Sequence, residues 1–365
     1  MGTKSKITGT LYRNFVKPVA FCFDPELVHN SFTRLGEALS GSKILSSLYS
    51  STYPNLEKKV LGVSFKNPIG LAAGFDYDGH LAAAMKDIGF GFNTVGTVTA
   101  RAYAGNEKPR LVRMPRSRSI LVNKGFKSEG AKAVAARLDK KDLENHTIGI
   151  SVGSSNTPQV DTIKKAIDDY LFTFDLFKRK KYVSYFELNI SCPNTTMPES
   201  FTSKDNFKKL IKEISMLHLN KPIFVKMPSE IDFPGAEAIV RAALERDIQG
   251  FIFSNLVKNR TNQFLDLEEV DKIKELKGNF SGKPTFTQSN KLISMARKKF
   301  GKDIAIVGCG GVFSPMDALE KLKCGADLVQ LITGMIFEGP QLIEEICEVL
   351  NDRIPQGGTS DSFSW

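Results

Sequence analysis

The sequence predicts an α/β protein, a (β/α)8 barrel of the TIM type carrying an N-terminal helical extension. Two observations predict it. From about residue 70, short β-branched or apolar runs alternate with helical patterns, the rhythm of parallel strands joined by crossover helices. Eight such runs occur, at 70–75, 92–98, 148–152, 185–190, 223–227, 250–254, 304–308 and 328–333, and no GxGxxG turn follows the first, as an open dinucleotide-binding sheet would require. The 365 residues, 41% apolar and 25% charged, suffice for one large core. The expected division is a helical extension over 1–60, the barrel over 61–354, and a small, polar, mobile tail over 355–365.

The extension rests on its own signals. Asp24-Pro25 reads as an N-cap followed by proline at the first helical position. Val28, Phe32, Leu35 and Leu39 then form one apolar face, and a second apolar stretch holds Ile44, Leu45, Leu48 and Tyr49. Two readings stand: a helical cap docked on the barrel, or an amphipathic hairpin resting on a membrane and admitting a lipid-soluble ligand.

Several function classes recede. The formal net charge of +10 is compatible with nucleic acid, an anionic membrane or anionic small ligands. The densest basic run, 177–182, falls between a helix and a strand and reads as a solvated loop, so no nucleic-acid partner is expected. Five scattered cysteines without a CxxC pair point to a reducing compartment, and four histidines without metal-ligand spacing point to no metal. No run approaches the roughly 20 apolar residues of a membrane span, and the start lacks a secretory signal's apolar stretch.

In barrels, chemistry sits at the carboxyl ends of the strands. There the sequence places Cys309-Gly310-Gly311-Val312 before the helix start Ser314-Pro315, and Thr333-Gly334 after the eighth run. Glycines let backbone N–H groups approach a phosphate, a helix start adds a favourable dipole, and the loops after strands seven and eight often share such a site. Asn189-Ile-Ser-Cys-Pro-Asn-Thr195 ends the fourth run. Its asparagines can read the imide edges of a planar ring and its thiol can take a proton, against the bland reading of a buried structural cysteine. Lys226 closes an apolar run, where an ammonium needs an anionic partner such as a reduced flavin, unless it is a surface lysine. Asn255 offers another amide or a simple turn.

These motifs, with Phe65-Lys-Asn-Pro-Ile-Gly-Leu-Ala-Ala-Gly-Phe-Asp76, Gly89-Phe-Gly-Phe-Asn-Thr-Val-Gly-Thr-Val-Thr99, Gly105-Asn-Glu-Lys-Pro-Arg-Leu-Val-Arg113, Ser281-Gly-Lys-Pro284, Asp317-Ala-Leu-Glu320 and Gly325-Ala-Asp-Leu-Val-Gln330, resemble the quinone-dependent (class 2) dihydroorotate dehydrogenases over nearly the whole chain. Asp24-Pro-Glu-Leu-Val-His29 falls where that family has its membrane-side quinone tunnel, which shifts the reading of the extension towards the membrane. The resemblance implies an FMN oxidoreductase of pyrimidine (UMP) biosynthesis that oxidises dihydroorotate, passes electrons to a quinone, and lies peripherally on the inner, cytoplasmic face of a respiratory membrane. It implies that Ala72, Ala73, Gly74, Thr97, Ser151, Asn189, Lys226, Ser254 and Ser281 hold the flavin, and Gly282, Gly310, Gly311, Thr333 and Gly334 its phosphate. Asn189, Asn194 and Asn255 hold the pyrimidine, Cys192 takes the proton from C5 while hydride leaves C6, and His29 and Arg113 lie along the quinone path.

Four positions depart from the family's pattern. Tyr77 replaces a lysine that touches flavin and substrate carboxylate, and Cys192 replaces the serine of the quinone class, as in the soluble class 1 enzymes. Asn123 stands one residue nearer the following glycine than the family's asparagine, and Ser151 replaces a flavin-contacting asparagine. Lys124 or Lys127 is expected to supply the charge lost at 77, with Asn123 and Lys124 both at the substrate. The rival readings are a related FMN enzyme with another small substrate, and a non-catalytic flavin-binding relative.

Overall fold

The computed structural model describes residues 3–49, 51–191 and 201–355; Cys192, Asn194 and the tail beyond Pro355 lie outside them. Among the described residues thirteen strands occur: β1 (Lys58–Val60), β2 (Val63–Phe65), β3 (Ile69–Leu71), β4 (Phe92–Val98), β5 (Leu111–Met114), β6 (Ser119–Val122), β7 (Thr147–Val152), β8 (Val183–Asn189), β9 (Ile223–Lys226), β10 (Gly250–Phe253), β11 (Asn279–Gly282), β12 (Ala305–Cys309) and β13 (Leu328–Leu331). Eight of them, β3, β4, β7, β8, β9, β10, β12 and β13, pair in parallel and close on themselves, Val329 to Leu331 meeting Ile69 to Leu71. Each lies inside, or within two residues of, one of the eight runs expected. They form strands because both faces are covered, one by the barrel interior and one by helices, which demands continuous apolar sequence. The helix Lys204–Ser215 shows the matching logic: Ser203 caps it, and Phe207, Leu210, Ile211 and Ile214 turn one stripe towards the sheet.

Glycines shape the amino-terminal end of the barrel. Gly70, Gly149 and Gly250 leave no room for a Cβ because the rings of Phe92, Tyr185 and Phe224 occupy that space. Those rings and Phe65, from the β1–β2 hairpin below, meet at 4.9 to 6.2 Å, edge to face except for the tilted Phe65–Tyr185 pair, and fill the floor. Above them, buried Glu187 accepts hydrogen bonds from Thr94 (2.6 Å) and Gln330 (2.7 Å).

Three features were not foreseen. β5, β6 and β11 form an antiparallel sheet at the opposite rim, assembled from the loops after β4 and β10. β3 ends at Leu71, four residues short of the run, since the chain turns away through Gly74 at φ 113°. A helical segment precedes Asp24, comprising Thr3–Leu11, a π turn Tyr12–Val16, and Lys17–Phe21. It is tied to the last helix, Leu342–Asn351, by Lys4 to Glu344 at 3.0 Å, and Tyr12 donates to the Ile336 carbonyl at 2.8 Å.

The helix Pro25–Ala38 forms where expected, with Asp24 Oδ1 accepting from the N–H groups of Glu26 and Leu27, both at 2.9 Å. Its packing is inverted relative to a simple cap. Glu26, His29, Thr33 and Gly36 turn towards the barrel, Gly36 packing against Leu81, while Leu27, Phe32 and Leu35 stay exposed, Leu35 at 53%.

Candidate active site

A cavity opens where the carboxyl ends of the barrel strands meet the rim sheet. Ala72, Ala73 and Gly74 follow β3 into it, Thr97 comes from β4, Asn189 from β8 and Lys226 from β9. Ser254 and Asn255 follow β10, Cys309 to Val312 close β12, and Thr333 and Gly334 follow β13. The rim sheet adds Ile120, Val122, Ser281 and Gly282, and His29 reaches in from the helix Pro25–Ala38. The stretch 124–127 lines the cavity with all four residues, because Gly125 and Phe126 are both left-handed, at φ 64° and 63°.

Three residues singled out from the sequence stand outside the lining. Ser151 lies behind Thr97, its Oγ 3.0 Å from the Thr97 hydroxyl. Asn123 is turned aside, its Oδ1 accepting from Asn106 at 2.9 Å. Arg113 stacks over Phe21 at 4.7 Å and donates to the Phe23 carbonyl at 2.8 Å, on the side of the N-terminal helices. Cys192 and Asn194 fall outside the described residues.

The amides are held in place. Asn189 Nδ2 donates to Thr97 Oγ1 at 2.9 Å, and its Oδ1 accepts from the Ser191 N–H at 3.3 Å. Asn255 Nδ2 donates to Ser191 Oγ at 2.9 Å, so the two strand ends on either side of Lys226 are joined. Fixing the amides leaves little rotamer freedom to lose when a ligand binds.

On the far side a backbone cradle forms. A Cβ on Gly334 would overlap the Val312 carbonyl, one on Gly282 the Arg118 carbonyl, one on Gly310 the Thr285 hydroxyl, and one on Gly311 would come 2.5 Å from Phe286 Cβ. Only glycine permits these approaches. The helix start at Ser314-Pro315, expected to contribute a dipole, does not: it is absent from the lining and already satisfied. Ser314 Oγ accepts from the Asp317 N–H at 3.2 Å, and the Asp317 carboxylate accepts from Phe313 N–H at 3.0 Å.

The electrostatics are one-sided. Lys124, Lys127 and Lys226 line the cavity among the described residues, and no Asp or Glu does. Lys226 is buried and forms no hydrogen bond or ion pair among the described residues. A buried ammonium without a hydrogen bond is costly, so the cavity favours an anion beside it. Lys124 donates to the Tyr77 hydroxyl, lies 4.0 Å from that ring's centroid, and faces Glu26 at 3.8 Å. Burial pushes the Lys124 ammonium down to about 7, Glu26 opposing. Burial also holds His29 neutral, down to about 3, helped by Lys124 and Lys127; its ring packs 5.0 Å from both Phe75 and Tyr77. Burial raises the Cys309 thiol.

Glu26 and Arg110, paired at 3.4 Å, and Thr285 were missed as parts of this region. An acid in the first turn of a helix reads from sequence as a dipole partner, and nothing in its spacing points to a loop 84 residues away.

Residues 55–354 match the family model described as dihydroorotate dehydrogenase. A protein of Christiangramia forsetii named dihydroorotate dehydrogenase (quinone) is 35% identical, the match covering 94% of this chain and 99% of that one. Its namesake from Nostoc punctiforme is 34% identical over 95% of each. The crystal structure of the DHODH of Eimeria tenella in complex with ferulenol superposes with a TM-score of 0.79 at 26% identity, covering 94% of this chain and 93% of that one. With the barrel, the glycine cradle and the full-length likeness in agreement, this chain belongs to the dihydroorotate dehydrogenase family.

Proposed function

We propose that the chain is a quinone-dependent enzyme oxidising dihydroorotate to orotate in pyrimidine biosynthesis, with FMN as its flavin. The observation that carries this reading is a buried Lys226, without a hydrogen bond or ion pair among the described residues, set across one cavity from a glycine cradle, in a chain matched end to end by relatives of that name.

The residues fit the flavin. Gly282, Gly310, Gly311, Thr333 and Gly334 would take its phosphate on backbone N–H groups and a hydroxyl, since overlap excludes side chains there. Ala72, Ala73, Gly74, Thr97, Ser254 and Ser281 would flank the ring, and Lys226 would neutralise negative charge at its edge. When bound, the flavin accepts hydride from the substrate and returns two electrons to the quinone. Asn189 and Asn255, with Asn194, would fix the pyrimidine by its amide edges. Cys192, next in sequence to the anchored Ser191, would accept the proton from C5 of the substrate as a thiolate.

The quinone is assigned to the side of His29, where the helix Pro25–Ala38 meets the cavity, with Arg113 of β5 nearby, packed against the N-terminal helices. The exposed apolar residues there, Ile7, Leu11, Phe15 and Val19 at intervals of four, then Leu27, Phe32 and Leu35, support peripheral attachment to a membrane surface. On this reading the site is the inner face of a respiratory membrane. No helix among the described residues is long and apolar enough to cross one.

The test is anaerobic. Purified protein should be yellow, bleach with stoichiometric dihydroorotate, and recover its colour on adding a short-chain quinone. A flavin that stays oxidised in excess dihydroorotate would defeat the assignment.

A further inference from the structure

The loop after β3 brings Tyr77 and no lysine or arginine to the cavity, yet the cavity as a whole is richly cationic. Its three lysines have different circumstances. Lys226 stands beside Asn189 in register on neighbouring strands, at the flavin side of the cavity on the reading above. Lys124 is committed to Tyr77 and to Glu26, whose carboxylate also pairs with Arg110, and this triad fastens the helix Pro25–Ala38 to the rim.

Lys127 differs from both. It is half-buried, lines the cavity, and forms no hydrogen bond or ion pair among the described residues. The centroid of the Tyr77 ring lies 5.9 Å from its Nζ, within reach of a cation–π attraction that uses none of its three N–H donors, and its charge also bears on His29 and Lys124. The backbone goes out of its way to present it. Phe126, a bulky residue, sits at φ 63°, a conformation side chains rarely accept, and with Gly125 it curls the loop so that Lys127 is not carried off to solvent.

We infer that Lys127, presented by the loop after β6, holds the carboxylate of the substrate acid, with the Tyr77 ring as its rest. This rests on the function proposed above and names the residue that gives that site its preference for an acid. Lys124 is a positioning residue for the same loop.

The experiment uses the oxidised holoenzyme, with orotate and its methyl ester titrated against the flavin absorbance. In Lys127→Gln, orotate binding should weaken roughly tenfold to a hundredfold, the value of one charge-assisted hydrogen bond, and KM for dihydroorotate should rise in parallel while kcat changes less. The uncharged ester should bind both proteins alike. Lys127→Arg should keep the preference for acid over ester. Equal orotate affinity in Lys127→Gln and the parent, or equal losses for acid and ester, would overturn the assignment. A parent enzyme that binds no orotate would bring down the proposed function itself, a result that separates the two claims.

Discussion

Glu26 faces Arg110 and Lys124 from the first turn of its helix, and the three charges are all largely removed from water. Because the folded protein depresses the Lys124 pKa to about 7 from 10.5, with burial as the main cause, charging it costs stability. Below pH 7 both folded and unfolded chains carry the proton and the penalty is complete. Between 7 and 10.5 the unfolded chain binds more protons, so this residue makes stability rise with pH, by at most about 1.4 kcal/mol per unit. Above 10.5 the effect is exhausted. Lys124→Met should flatten the melting temperature across that window relative to the parent, and parallel curves would refute the account. At this scale the sequence is legible where chemistry dictates residue type. Strand-end glycines and asparagines are such positions, and most of those singled out line the cavity. Ion pairs such as Glu26 with Arg110 are illegible because they depend on which loop the fold brings near, and Ser151 and Asn123 show that a matching position can stand one layer back.

The elements divide in the same manner. Barrel strands announce themselves because burial on both faces requires unbroken apolar runs, and all eight were found. The rim sheet was hidden, since β5 and β6 are four residues each and their partner β11 arrives more than 150 residues later in the chain. Helix Pro25–Ala38 was found, while its facing was open between a cap and a membrane hairpin until the resemblance favoured the second; Glu26 and His29 turn inward and Leu27, Phe32 and Leu35 are exposed. The loop elements carry the most exposed prediction about the cofactor. A methyl group at Gly334 has nowhere to go, being in conflict with the Val312 carbonyl and 3.3 Å from Phe313 Cα. Gly334→Ala should therefore fold but retain less than about a tenth of the parent's flavin, overpacking of this sort costing roughly 1–3 kcal/mol. Full flavin occupancy, read from the ratio of visible to ultraviolet absorbance, would remove the cradle from the phosphate site.

For the whole molecule, charge and shape act together. The proposed membrane attachment is supported by a net charge of +10 and by a band of exposed side chains that includes Phe15 at 65% and Val19 at 63%. Full-length protein should co-sediment with vesicles containing anionic lipid. Phe15→Glu with Val19→Glu should cut the bound fraction roughly tenfold, each lost insertion being worth about 1.5–3 kcal/mol when complete. Undiminished binding would move the attachment elsewhere. The aromatic floor, finally, leaves traffic to a single end. With Phe65, Phe92, Tyr185 and Phe224 wedged against the glycines beneath, nothing drains through the barrel. Among the described residues the cavity is bordered at the rim by helix Pro25–Ala38 and the loop at 124–127, so movement of those two elements, rather than of the staves behind them, would govern exchange.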